Sequence, residues 1–169
     1  STGKIDVSGS TFSGALTISG NAAVDRILSD CHFINVVSSN STANSSIQAV
    51  NCVFNSGASS FGDWSTHLTG CHIVSGATVS ITSSGNVRVE ASTLLGTVSA
   101  TAAPSLQVVG CHMGNGSTFT SSGLVFDGNV VTASPGPALV GNGTVTNNRY
   151  TDGGVNPAAV MTIGIGTIN

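Results

Sequence analysis

Four cysteines could bind a metal ion or form disulfide bonds, and three of them are followed directly by a histidine. The pairs are Cys31-His32, Cys71-His72 and Cys111-His112. A tetrahedral zinc site needs ligands that converge, usually through short paired spacings such as C-x-x-C, and the sequence has no such spacing. We therefore predict no metal site and no cofactor at these residues.

Two carboxylates are candidates for glycoside hydrolysis, which commonly uses a pair of carboxyl groups ~5 to 9 Å apart. Glu90 and Asp127 occupy equivalent positions in a sequence repeat, two repeats apart, with Val109 between them. If the repeats stack as strands, the two acids lie roughly 10 Å apart, slightly beyond the range of an inverting hydrolase. They are the candidate catalytic pair, and two exposed charges without a catalytic role are the alternative.

A single tryptophan is the best candidate for contact with a sugar ring. Trp64 follows Asp63 in a glycine-containing stretch between repeats, so we predict a loop that carries both residues as a ligand-binding site. A lone tryptophan that packs the loop onto the rest of the protein is the alternative.

The cysteines belong to a repeat in which eight short segments align at intervals of 18 to 21 residues. The repeat positions are Ser10, Cys31, Cys52, Cys71, Ser92, Cys111, Asn129 and Asn148. An apolar residue stands three positions before and another stands two positions after each of them. A turn-forming residue directly precedes the repeat position in seven of the eight segments, and Ala91 is the exception. A fixed period of this length predicts a solenoid.

Local alternation, as in Val79-Ser80-Ile81, indicates short β-strands, and helical periodicity does not occur. The repeat therefore predicts an all-β fold: a single-stranded right-handed parallel β-helix of about eight coils. A left-handed helix usually shows a six-residue repeat, which we do not find. We assign residues 1–155 to this domain and residues 156–169 to a C-terminal cap strand or subunit-contact segment.

In such a coil the repeat column lies inward or at a turn, so its cysteines form a line along the solenoid. We expect buried, reduced thiols, and disulfides between adjacent coils are the alternative, because neighbouring strands bring Cα atoms within disulfide range. The histidines fall in alternate coils, roughly 10 Å apart, which is too far for one metal ion. We interpret them as a stripe that faces solvent or another subunit.

Composition excludes two classes of partner. The net charge is −3 and only 7% of residues are charged, so the chain lacks the basic surface that binds nucleic acid. No apolar run reaches the ~18 residues of a membrane span, and we expect no membrane insertion.

The chain begins at Ser1 without a methionine and enters a repeat almost at once, which we interpret as a fragment of a longer protein.

The aligned segments resemble the coils of bacteriophage tailspikes and tail fibres. Examples are Val50-Asn51-Cys52-Val53-Phe54, Thr69-Gly70-Cys71-His72-Ile73 and Val109-Gly110-Cys111-His112-Met113. The resemblance covers nearly the whole chain and lies in the style of the repeat. It implies a pectate-lyase-like β-helix that forms a homotrimer and binds bacterial surface polysaccharide, with this chain as a distal or C-terminal piece. No catalytic motif of that family maps onto the sequence.

The function that we expect is a structural and host-receptor-binding domain of a phage tail, folded in the host cytoplasm and located in the virion. A polysaccharide hydrolase or lyase is one alternative, and a bacterial surface adhesin is another. Unpaired cysteines favour the phage protein, because an adhesin crosses an oxidising periplasm. Ice binding would need an unbroken array of threonines, and histidine and valine interrupt the column of Thr11 and Thr93.

Overall fold

The computed structural model describes residues 3–20, 23–41, 44–102, 104–114, 116–132, 136–151, 161–163 and 167–168. Every regular element in these ranges is a β-strand, so the described part of the chain holds no helix that could span a membrane. The strands stack in parallel over about seven turns and form a β-solenoid, which confirms the predicted fold class. The right-handed sense of the coil stays a prediction.

Each coil contributes strands to three stacks that run along the solenoid. The first stack contains β1 Gly3–Ser8, β4 Val24–Ser29, β7 Ser46–Val50, β10 Ser65–Thr69, β13 Asn86–Glu90 and β16 Ser105–Val109. The second stack contains β2 Thr11–Phe12, β5 His32–Phe33, β8 Val53–Phe54, β11 His72–Ile73, β14 Thr93–Leu94, β17 His112–Met113, β19 Val130–Val131 and β21 Arg149–Tyr150. The third stack contains β3 Leu16–Ser19, β6 Val37–Asn40, β9 Ala58–Gly62, β12 Thr78–Ser83 and β15 Thr97–Ala102.

Two longer strands continue both the third and the first stack. They are β18 Thr118–Asp127 and β20 Ala138–Thr146, which pair along most of their length with a register shift between Ser121 and Leu124. Two short strands, β22 Met161–Ile163 and β23 Thr167–Ile168, pair in parallel with β20. The rest of the predicted cap, residues 156–169, lies outside the described residues, so its role stays a prediction.

A sharp corner joins the first stack to the second just before each repeat position. The preceding residue has a left-handed backbone, with φ between 48° and 63°, in all eight repeats: Gly9, Asp30, Asn51, Gly70, Ala91, Gly110, Gly128 and Asn147. Glycine accepts this conformation freely and asparagine or aspartate tolerates it, whereas it is unfavourable for other residues that carry a Cβ. The corner explains the turn-forming column and places Ala91 in the same strained conformation.

The core consists of the inward columns that the repeat predicted. The rings of Phe12, Phe33 and Phe54 stack in successive coils with centroids 5.3 Å apart. The column three residues before the repeat position is fully buried from Leu28 onward to Phe126. Each coil therefore covers the apolar side chains of its neighbours, which is the source of stability in a solenoid.

One ion pair lies inside the solenoid, where the repeat pattern predicts apolar residues. Arg26 occupies an inward column, next to Ile47 of the following coil, and is 1% exposed. Its guanidinium group pairs with the carboxylate of Asp63, which is equally buried. The hydroxyls of Ser39 and Ser45 donate to the same carboxylate at 2.6 and 3.1 Å. The two buried charges thus balance each other and the carboxylate is hydrogen-bonded, while Arg26 Nε has no hydrogen-bond partner among the described residues.

Candidate functional site

Most of the described charged residues lie on the outward face of the first stack. This face carries Lys4, Asp6, Asp25, Arg88, Glu90 and Asp127. None of the described strands of the third stack contains a charged residue. The two long faces therefore differ in chemistry although both are built from the same repeat.

A polar depression lies in the middle of the first-stack face. It has a volume of about 200 Å³ and is lined by His67, Asn86, Val87, Arg88, Ser105 and Gln107. The parallel register places Gln48, His67, Arg88 and Gln107 directly above one another in four successive coils. Half-buried apolar residues bound this column at both ends, Ile27 before it and Val125 after it.

The polar groups around the depression differ in whether they are already paired. Arg88 Nε donates to Glu90 at 2.6 Å, and the Thr69 hydroxyl donates to the other oxygen of Glu90 at 3.3 Å. The side chains of Gln48, His67, Asn86, Ser105 and Gln107 make no hydrogen bond to any described residue. The depression thus collects polar side chains whose hydrogen-bonding groups are free for an external partner.

The environment of His67 favours its uncharged form. Partial burial lowers the pKa of the imidazole, the nearby guanidinium of Arg88 lowers it further, and Glu90 opposes them. Because the pKa falls below the ordinary value of 6.5, the ring is neutral at pH 7. A neutral imidazole offers one hydrogen-bond donor and one acceptor.

The predicted catalytic acids occupy one outward column, as expected. Glu90 pairs with Val109 and Val109 pairs with Asp127, so the two carboxylates are two coils apart. Hydrogen bonds from Thr146 and Asn147 lower the pKa of Asp127. A general acid in glycoside hydrolysis needs a raised pKa, so this environment does not equip Asp127 to donate a proton. Glu90 is engaged by Arg88 and Thr69.

The predicted Trp64–Asp63 site is divided by the coil, and this corrects the expectation for the aspartate. Asp63 points inward to Arg26, so its carboxylate cannot contact a ligand at the surface. Trp64, 45% exposed, lies at the corner between the third stack and the first. Its indole lies against Gly85, where an added Cβ would lie 2.7 Å from the ring nitrogen Nε1. Asn86, the residue after Gly85, lines the polar depression, whereas Trp64 itself is not one of its lining residues.

The cysteine column is structural. All four thiols are free and buried, which confirms the predicted buried thiols. Each sulfur donates to a backbone carbonyl of the preceding coil, for example Cys52 Sγ to Leu28 O at 3.4 Å and Cys71 Sγ to Ala49 O at 3.2 Å. Burial raises the pKa of the Cys111 thiol to about 11. These thiols act as hydrogen-bonding core residues.

The histidine column lies where the repeat placed it, on the outward side of the second stack. His32, His72 and His112 alternate with Val53 and Thr93, so any two of them are at least two coils apart. Within the described residues, no group of three or more metal-ligating side chains comes together. The column therefore presents separate side chains and no shared site.

The third stack holds a regular hydroxyl surface that the sequence reasoning missed. One outward column contains Thr17, Ser38, Ser60, Ser80, Ser99 and Thr118. A second shallow depression, of about 220 Å³, lies on this face around Gly62 and Asn40. The sequence signal for this surface is the alternation of hydroxyl residues in Thr78–Ser83 and Thr97–Ala102, unlike the interrupted column of Thr11.

The sequence also contains a signal for the polar column of Gln48, His67, Arg88 and Gln107. Each of its members stands four residues before a repeat position, on the strand that leads into the corner. Aligning that offset would have shown four long polar side chains in successive coils.

No family model, no curated protein and no solved structure matches this chain.

Proposed function

We propose that this solenoid is a structural and host-receptor-binding segment of a bacteriophage tailspike or tail fibre that attaches to bacterial surface polysaccharide. The observation that carries the proposal is the presence of polar depressions on both long faces of a rigid rod. A glycan presents many hydroxyl groups, and a fixed array of polar side chains can meet them without first becoming ordered.

Binding fits the described residues better than cleavage. Glu90 and Asp127 are held by neighbouring side chains, and the pKa of Asp127 is lowered when a proton donor would need it raised. The polymer is therefore expected to be bound without being cut.

The assembly and the compartment belong to the same proposal. We expect a homotrimer located in the virion and folded in the host cytoplasm. The four buried free thiols agree with folding in a reducing compartment. The alternative location is the bacterial cell surface.

The test has two parts. The protein is incubated with purified bacterial O-antigen and capsular polysaccharides, and binding is followed through the fluorescence of Trp64, the only tryptophan. Saturable binding with no release of reducing ends or unsaturated sugars is the expected result. Failure to bind any member of a broad panel would refute attachment to polysaccharide. A monomeric mass in light scattering would refute the trimer.

A further inference from the structure

The polar column of the first stack has the length and chemistry of a site for an extended ligand. Gln48, His67, Arg88 and Gln107 occupy four successive coils in register. Three inter-strand spacings of ~4.8 Å give the column a length of roughly 14 Å along the solenoid axis. It therefore suits a chain molecule aligned with the axis better than a small compact ligand.

The side chains of the column include both hydrogen-bond donors and acceptors, so a complementary ligand must donate and accept hydrogen bonds. The two glutamine amides and a neutral imidazole each offer donors and acceptors, and none of them bonds to a described residue. Asn86 and Ser105 add free groups at the side of the column. Hydroxyl groups match this mixture, because each can donate one hydrogen bond and accept others.

The charge balance of the face disfavours an anionic partner. The guanidinium of Arg88 is neutralised by Glu90 at 2.6 Å. The remaining charges of the face include Asp6, Asp25 and Asp127, against Lys4 alone. A uronic-acid or phosphate-bearing chain would meet net negative charge and would find no unpaired cation in the column.

We propose that Gln48, His67, Arg88 and Gln107 bind an uncharged, hydroxyl-rich oligosaccharide segment that lies along the solenoid axis. Ile27 and Val125, at the two ends of the column, contact the apolar C–H surfaces of the sugar rings. This inference rests on the proposed attachment to polysaccharide and specifies the site and the class of glycan.

The experiment compares oligosaccharides prepared from an uncharged O-antigen with those from a uronic-acid-containing one. Isothermal titration calorimetry measures their affinity for the intact chain and for His67→Ala and Gln107→Ala. The matched control is His72→Ala, which removes an exposed imidazole from the second stack. Circular dichroism and the urea midpoint verify that each variant keeps its fold.

We expect the uncharged fragment to bind more tightly, and each column variant to weaken binding by about 3- to 10-fold, the worth of one hydrogen bond. His72→Ala should change the affinity by less than about twofold. Unchanged affinity in both column variants would overturn the site and leave attachment to polysaccharide standing. Tighter binding of the uronic-acid fragment would overturn the class of glycan. If the wild-type chain binds neither fragment nor any polymer of the panel, both proposals fail.

Discussion

Replacing Asn129 by alanine tests whether the repeat column stabilises the coil through hydrogen bonds or merely fills space. Asn129 is fully buried, and its Oδ1 accepts from the backbone N–H of Cys111 at 2.8 Å. Its Nδ2 donates to the carbonyl of Val108 at 3.0 Å and to Asn148 Oδ1 at 2.9 Å. The side chain thus connects its own coil to the preceding and the following coils.

The expected loss follows from the groups that alanine leaves behind. The N–H of Cys111 loses its acceptor and the carbonyl of Val108 loses a donor, both in the interior. An unsatisfied buried polar group costs about 1–3 kcal/mol, so Asn129→Ala should lower the free energy of unfolding by about 3 kcal/mol. Asn129→Cys is the matched comparison, because Cys111 at the equivalent position donates to Val89 O at 3.5 Å. A thiol restores part of the bonding, so we expect a loss of about 1–2 kcal/mol.

Equilibrium unfolding in urea, followed by circular dichroism, measures the two differences. The slope of free energy against urea concentration should be unchanged, which would show that the native and denatured states expose the same surface as before. Equal losses for Asn129→Ala and Asn129→Cys would refute the hydrogen-bond argument, because the thiol, unlike the methyl group, can donate to the carbonyl of Val108. A loss below about 1 kcal/mol for the alanine variant would refute it as well.

Three further predictions concern the corner, the buried ion pair and the thiols. Ala91→Gly should raise the free energy of unfolding by about 1 kcal/mol, since φ at this position is 48° and glycine has no Cβ to strain; a lowered thermal midpoint would contradict this. Asp63→Asn should lower the free energy of unfolding, measured in urea, by about 3–5 kcal/mol, because it leaves the Arg26 charge buried and uncompensated. Asp25→Asn removes an exposed carboxylate and is the control, which should show a much smaller loss. In the folded protein at pH 8 the four thiols should react slowly with a disulfide reagent, because all four are buried and burial raises the pKa of Cys111 to about 11. Once urea unfolds the chain, all four should react together. Fast reaction of any thiol in the folded protein would contradict the buried column.

The sequence was sufficient for the architecture because solenoid periodicity is redundant. Eight aligned segments share the same inward and corner positions. The prediction that Cys52 and Phe54 are buried therefore rests on all eight segments and not on a single residue. Ala91, which is not a turn-forming residue, adopts the same left-handed corner conformation as its seven counterparts, because its strands must pair in register with those of the neighbouring coils.

The ion pair was not predictable from periodicity. Arg26 stands at an inward offset, but a charged residue in a nearly uncharged chain is ordinarily expected at the surface. Its partner Asp63 lies two coils away, at a corner where the repeat assigns no column. The pairing depends on the path of the chain around that corner, which an alignment of strands does not contain. At the same corner the side chain of Asp63 points inward and that of Trp64 is exposed. The two residues of the predicted ligand-binding site therefore lie on opposite sides of the coil wall.

If the proposed glycan site is correct, the polar groups that stabilise the fold and those that bind the ligand lie in different columns of the solenoid. Inside and at the corners, Asn129, the cysteines and the Arg26–Asp63 pair use their hydrogen-bonding groups between coils. On the first-stack face, the side chains of Gln48, His67 and Gln107 make no hydrogen bond to another residue in the described ranges. Holding such groups together on a rigid strand stack lowers the ordering cost for a partner but contributes little to folding. Substitutions at the repeat column should therefore change stability, whereas substitutions four residues earlier should change affinity at unchanged stability.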